Sequence, residues 1–539
     1  MRNVIIVLVA VVMLCGAAFA DDVVIYTRDN APAAPKPADL ALKECVSQYG
    51  ITWTFAEPAR VGQFITGDWY VVGPVTVKMI DPKPLIGKEV EDGTGWTQGE
   101  TKNDKGETVK AVVDIDARER EEFGGANPRL KDPEREALKA NPRYCRNGSV
   151  LNVPPELRKS GFDSRVRHGI YAVELTARLP IEMKPGDALV STISKKNMRR
   201  GKHYTTTAAV AILTCLAEPA PADAFRPGYT DPEKTVYLAR TLKRELLPTL
   251  ERPEKDTADI AKLVPIFNRP WLEYNLFHED HAPYQMGGYG QGLARRGGDT
   301  ALALCLDFKP EEKEPLLVGY VQFGIDLWGM LKAGYSGWEA WGGWNSGHKH
   351  PIILAGVLLG DAKMASPSKT YPKASFQEDE QTGYGRTWLG APVVFQGHSG
   401  VNAATGEGRV RGRSDWGPYE HKPPSEWHDK NWQSEGYRRC CTSRAWIGTA
   451  MAARLMKLEP YWDHDAFFDY VDRWMTEDET EALKVMAGLG HKQPDWAHEG
   501  QVEIKFHEAM WKKYRKTVQP APDAWRKKKP VAPPVPDGA

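Results

Sequence analysis

The chain has 539 residues, 41% hydrophobic and 10% aromatic, enough to bury a large core and to make two domains the natural expectation. Lysine plus arginine and aspartate plus glutamate each number 71, so the formal net charge is zero and composition gives no electrostatic reason for a nucleic-acid partner. The 18 tryptophans beside 49 glycines suit carbohydrate handling, because an indole face stacks on the C–H face of a sugar ring; the competing reading is a large core filled with rings.

In chain order, Arg2, an apolar run from Val4 to Leu14 and the small-x-small site Ala18-Phe19-Ala20 predict a secretory signal peptide over residues 1–20. Bulky Leu14 before Cys15 argues against a lipoprotein box. The expected product is an exported protein, periplasmic or extracellular. No later run is long and apolar enough for membrane insertion. The remaining cysteines, Cys45, Cys145, Cys215, Cys305, Cys440 and Cys441, match no disulfide framework or zinc spacing. Cys440 and Cys441 read as small residues buried in a helix.

Residues 21–217 read as strands punctuated by Gly, Pro, Asn and Asp. The candidates are Ile51 to Phe55, Phe64 to Ile80, Gly169 to Ile181, Asp187 to Ser194 and Thr206 to Leu216, and together they predict a β-sandwich-like domain. The charged stretch from Asp92 to Asn147 reads as an insertion or long surface loop. Residues 218–229, beginning EPAPA, read as a linker.

From 230 to 516 the period becomes helical. Apolar residues recur at three- and four-residue spacings over Pro232 to Leu250, Gly290 to Leu306, Pro310 to Leu331, Pro351 to Leu359, Glu435 to Leu458 and His464 to Met475. Successive helices with long loops between alternate pairs predict an α/α toroid, or barrel. The fold class expected is therefore α+β multidomain, a β-sandwich-like domain followed by a toroid. The Pro- and Lys-rich residues 517–539 should be a disordered tail.

Four polar constellations precede or join these helices. In WEAWGGWNSGHKHPIILAGVLLGD, Pro351 suits a first helical turn, Gly360 suits its end, and the residue before proline, His350, should be extended. His348 and His350 would lie at a helix N-terminus, which disfavours imidazolium and so suits a base. The second, FQEDEQTGYGRTW, contributes Glu378, Asp379, Gln381, Tyr384 and Arg386. The third is YNLFHEDHAPYQMGGYGQG, with His278, Asp280, His281 and Tyr289. The fourth, WHDKNWQSEGYRRCCTS, contributes Trp432, Tyr437 and Arg438.

This inventory suits eliminative cleavage of a uronic-acid glycan, in which the sugar carboxylate is neutralised, a base removes the C5 proton and an acid protonates the leaving oxygen. His348 or Tyr384 would be the base, Tyr384 the acid, and Asn345, Arg386 or Arg438 would hold the carboxylate. Trp338, Trp341, Trp344, His281, Tyr289, His350, Glu378, Gln381, Trp432, Tyr437 and Arg438 would contact an acidic polysaccharide or oligosaccharide. Hydrolysis needs two facing carboxylates, which Asp280, Glu378 and Asp379 could supply. A non-catalytic carbohydrate-binding or cell-surface module is the alternative outside enzymes. No cofactor is expected: His348-x-His350 and His278-x-x-His281 lack the full pattern of a zinc motif, and calcium in the Glu378 loop is the other metal reading. Oligomeric state is left open.

WGGWNSGHKHPIILAGVLLGD, with EDEQTGYG and YRRCCTSRAWIGTAMAARLM, resembles a group of exported bacterial proteins with a β-rich N-terminal part and an α/α-barrel. That architecture is similar to the alginate lyase and heparinase II/III-like polysaccharide lyases. The resemblance runs from about Trp271 to Met475 and implies lyase activity. In those lyases the β-sandwich follows the barrel, and their Asn-His-Tyr signature has no residue-by-residue counterpart here.

Overall fold

A computed structural model describes residues 23–86, 96–102, 108–114, 145–154, 161–163, 172–195, 207–272, 291–340, 343, 345–398, 417–491 and 504–530. The signal-peptide residues, the His278 to Tyr289 constellation, Trp341 and Trp344 lie outside the described residues.

The N-terminal part is one eight-stranded sheet: β1 Ala41–Gln48, β2 Ile51–Gln63, β3 Trp69–Val72, β4 Val75–Asp81, β5 Ser149–Leu151, β6 Ile181–Met183, β7 Ala188–Ser194 and β8 Thr207–Leu216. The order is β6-β4-β2-β3-β8-β7-β5, with β1 also on β2, and every pairing is antiparallel except β8 with β3. Ile181 and Met183, at one end of that order, pack into the same apolar cluster as Leu189 and Leu151 at the other, so the sheet is curled into a half-barrel.

This overturns the sandwich. Because side chains alternate along a strand, β8 presents Ala211, Leu213 and Cys215 to the inside of the curl and Val210 and Ile212 to the opposite face. That second face is covered by Tyr229 and Leu272 from beyond the sheet. The nearly continuous apolar run of β8 reflects two buried faces, the outer one covered by connecting segments and not by a second sheet. Among its described residues, 172–181, the expected strand from Gly169 to Ile181 contributes only Ile181 to a strand; Val173–Leu175 is a 3-10 turn. Within the expected insertion, Trp96–Lys102 and Thr108–Asp114 pair as an antiparallel ribbon.

Helices of eight or more residues follow: α1 Ile260–Phe267, α2 Gln291–Leu304, α3 Pro310–Lys332, α4 Lys349–Leu359, α5 Asp429–Tyr437, α6 Ser443–Leu455, α7 Asp465–Thr476, α8 Thr480–Gly488 and α9 Lys505–Tyr514. The toroid is not what they build. The most extensive helix pairing joins α2 to α6, far apart in sequence, and α9 packs on both, while α3 packs on α4 and α1. Among the described residues no ring of successive hairpins closes. The α2–α6 approach is possible because Gly298 and Gly448 leave a notch for the His507 ring of α9: a Cβ on Gly448 would lie 2.6 Å from that imidazole. Pro232 to Leu250, expected as a helix, holds only the 3-10 turns Ala239–Thr241 and Arg244–Leu246. Asp223, bonded to Arg240 through both backbone and side chain, directs this segment instead.

Residues 218–229 are not an exposed tether. Ala220 and Ala224 pack with Phe64 and Tyr70 of the sheet, whereas Phe225 enters the helical core. Arg226, fully buried, reaches Asp68 in the β2–β3 turn (Nε–Oδ2 2.8 Å) and Asp326 of α3 (Nη2–Oδ2 2.6 Å). The chain beyond 517, expected as disordered, is described to residue 530 and docks through buried Trp525, whose N–H donates to Thr476 Oγ1 at 3.2 Å. Among the described residues no helix is long and apolar enough to cross a membrane.

Candidate functional site

The site forms where two segments meet ahead of α4. Gly337–Trp338 pairs in parallel with Ser375–Phe376, and a Cβ on Gly337, which has φ +87°, would lie 2.3 Å from the Ser375 carbonyl oxygen. Only glycine permits that approach. The pairing sets Ala340, Asn345 and Gly347 against one helical turn, Gln377–Glu380, whose side chains accept from their backbone N–H groups. Asn345 N–H donates to Gln377 Oε1 (2.9 Å), Ala340 N–H to Glu380 Oε2 (2.7 Å), and Gly347 N–H to Glu378 Oε1. Gln377 Nε2 then donates to Gln381 Oε1 and to Tyr437 Oη, both at 2.9 Å.

Trp338 is buried and its indole lies parallel to His348, centroids 4.8 Å apart. His348 caps α4, and its Nδ1 is 2.8 Å from the Asn345 carbonyl oxygen. A carbonyl only accepts, so Nδ1 carries a proton, and whenever the ring is neutral the lone pair lies on Nε2. His350 is inside the first turn of α4, not extended as the following proline suggested; a helix's first turn tolerates Pro351. Burial pushes the His350 imidazole down to about 3, so it is neutral; Nδ1 is 3.0 Å from Tyr320 Oη and Nε2 has no hydrogen-bond partner among the described residues.

Glu378 is 1% exposed. One of its oxygens accepts from Gly347 and the other, Oε2, has no partner among the described residues. Burial pushes its carboxyl up to about 7, against the opposing pull of the Gly347 hydrogen bond and of nearby His348. Burial also raises the Tyr320 hydroxyl, and the Glu378 charge adds to that rise. Beside Glu378 the arrangement reverses: Asp379 is ion-paired with fully buried Lys349 and accepts from Trp462 Nε1 at 2.8 Å. Two neighbouring carboxyls therefore have different work, one locked and one left able to hold a proton.

Trp338, Asn345, His348, His350, Glu378, Gln381 and Tyr437 thus converge from three constellations. The rest do not. Tyr384 donates to Asp469 Oδ2 (2.5 Å) and accepts from Lys528 Nζ (3.1 Å), a cluster closed by the C-terminal segment. Arg386 is exposed. Arg438 belongs to a buried network with Glu435 and Glu479, where burial lowers its affinity for a proton but Glu435 more than restores it, so it is held as a structural cation. Trp432 stacks on His491 with centroids 3.7 Å apart. Trp338, expected as an open platform, has His348 on its face and Tyr335 and Phe376 around it.

Three contributors escaped sequence reasoning. Tyr320 is a lone hydroxyl in the apolar stretch of α3, Gln377 adjoins the quoted acidic run, and Lys349 separates the two histidines. A lysine at an otherwise buried helix start was the available signal. Among the described residues no group of three or more His, Cys, Asp or Glu side chains is arranged to hold a metal ion. Comparison with protein-family models, with curated proteins and with solved structures found no match to this chain.

Proposed function

We propose that the protein is an exported lyase that cleaves an acidic, uronic-acid-containing glycan by β-elimination at the cluster around His348 and Glu378. The observation that carries this reading is the meeting of a histidine whose Nδ1 is fixed on the Asn345 carbonyl, a carboxyl able to hold a proton near pH 7, a tyrosine hydroxyl and two glutamine amides. His348 Nε2 takes the C5 proton, the C4–O bond breaks as the C4–C5 double bond forms, and Tyr437 Oη protonates the leaving oxygen. The neutral form of Glu378 donates to the sugar carboxylate and lowers the barrier to removing the adjacent proton, while Gln381, whose amide donates to the His398 carbonyl oxygen at 2.9 Å, holds the turn in place. Tyr437 replaces Tyr384 in this scheme because its hydroxyl already contacts the amides of the Gln377 turn. Hydrolysis is the weaker reading: it requires a second available carboxyl, and Asp379 is held by Lys349 and Trp462.

The test is incubation of purified protein with a panel of uronic-acid polysaccharides, following the ultraviolet absorbance of the unsaturated product. New reducing ends without that absorbance would mean hydrolysis, and binding with neither would mean a carbohydrate-binding module. On a cleaved glycan, Tyr437→Phe and His348→Ala should each lower kcat about a hundredfold or more, the usual contribution of a general acid or base. Tyr384→Phe should stay within a few-fold of wild type, since the Asp469–Lys528 ion pair survives it. Equal losses in Tyr384→Phe and Tyr437→Phe, with melting temperatures unchanged, would reject the assignment.

A further inference from the structure

Cys440 and Cys441 are bonded to each other, where the sequence suggested two buried small residues. They sit in a π-helical turn, Arg438–Thr442, between α5 and α6, and both are partly exposed. Thr442, at φ −126° and ψ −69°, leaves helical geometry altogether. Successive residues of a regular α-helix point about 100° apart around the axis, so the sulfurs of adjacent cysteines cannot meet on one. The bond and an unbroken helix through this segment therefore exclude each other. Single π turns of this kind recur at functional sites.

The turn is tied to the candidate site on both sides. Immediately before it, Tyr437 accepts from Gln377. Just after it, Ser443 Oγ pairs with Tyr470 Oη at 2.7 Å, and Trp446 Nε1 donates to Ser346 Oγ at 3.1 Å, two residues from His348. Arg438 and Arg439, inside the turn, are anchored by Glu435 and Glu479.

We propose that Cys440–Cys441 is a redox-modification site: an external dithiol reductant opens the ring and releases the turn that holds Tyr437 against the glutamine amides. One thiolate of the reductant attacks a cysteine sulfur and the S–S bond breaks, giving a mixed disulfide and one cysteine thiol. The reductant's second thiol displaces the other cysteine and leaves as a cyclic disulfide, so two electrons and two protons pass to the protein. With the bond gone, regular winding competes with the π turn, and Tyr437 is no longer confined to one position. The consequence for catalysis rests on the lyase reading; the chemistry of the bond does not.

The experiment alkylates the full protein, purified without reductant, with iodoacetamide before and after dithiothreitol, locates the label by peptide mass spectrometry, and follows hydrogen exchange over residues 429–455. Cys45 is exposed and labels in both states as an internal control, while Cys145, Cys215 and Cys305 are buried. Cys440 and Cys441 should label only after reduction. Amide exchange at 437–443 should then quicken about tenfold and recover on reoxidation, as expected for loss of a local constraint. A Cys440→Ser/Cys441→Ser protein should exchange fast in either condition. Label on both cysteines without reductant, or exchange indifferent to reduction, overturns the proposal. If a glycan is cleaved, turnover should fall reversibly with reduction, and turnover that ignores it overturns the switch. Inactivity on every glycan overturns the lyase reading alone, leaving labelling and exchange to decide the site.

Discussion

Arg226→Ala should cost about 3–5 kcal/mol of stability, the usual loss when one member of a buried charge network is removed and its partners stay charged. Asp68 and Asp326 are 2% and 3% exposed, and Arg226 bonds both. Burial raises the Asp326 carboxyl and the arginine opposes that rise, so alanine leaves a carboxylate with neither solvent nor counterion. Against a total of about 5–15 kcal/mol for an ordinary domain, that loss is a large fraction. Urea melts followed by circular dichroism and by tryptophan fluorescence would measure it. A triple variant, Asp68→Asn, Arg226→Met and Asp326→Asn, should recover most of the loss, because it removes the charges together. An Arg226→Ala protein within about 1 kcal/mol of wild type, the size of a routine substitution, would show that the triad does not join the sheet to α3. The same triad predicts that fragments covering residues 23–217 and 230–530 fail to fold separately, since each carries one of the stranded aspartates.

Glu378→Gln should remove a pH dependence that the wild-type protein carries through its stability. The folded carboxyl titrates at about 7 against an ordinary 4.5, so the folded state holds its proton more tightly than the unfolded state does. The associated stability is fully present below pH 4.5 and is lost as pH rises through 7. At about 1.4 kcal/mol per unit the loss is on the order of 3 kcal/mol. Glutamine keeps an acceptor for the Gly347 N–H and does not titrate. His350, held neutral down to about 3, works in the opposite sense, because its share of stability disappears as pH falls below its ordinary value of 6.5. The informative quantity is therefore the difference between wild type and Glu378→Gln across pH 5 to 8, in which His350 cancels. The wild type should lose stability relative to the variant as pH rises. A constant difference would mean that Glu378 ionises like an ordinary carboxylate, which would also remove it as the proton-holding group of the elimination. If catalysis is observed, the limb of the pH–rate profile near 7 should vanish with the substitution.

Local pattern in the sequence was sufficient for α2, α3, α4 and α7, for strands β7 and β8 and for the start of β2, because each depends on a period that neighbouring residues state by themselves, whereas the expected single run from Phe64 to Ile80 divides into β3 and β4. It was also sufficient to single out residues 338–350 and 377–381, since buried-looking polar groups beside an apolar helix are unusual anywhere. Periodicity reports which face of an element is apolar but not what covers that face. So β8 could be read as one layer of a sandwich, although its outer face meets Tyr229 and Leu272, and helix order could suggest a ring, although α2 pairs with distant α6. Polar side chains pose the same problem more sharply. Tyr384 and Tyr437 are equivalent as residue types, yet one hydroxyl is captured by Asp469 and the other meets Gln377, partners 85 and 60 residues away. The Cys440–Cys441 bond and the burial of residues 223–229 were likewise decided by backbone geometry and long-range contacts. The sequence by itself determined which groups must find partners; only the tertiary structure decided which partners they found, because hydrogen bonds and ion pairs between distant segments exist only once the chain has closed around them.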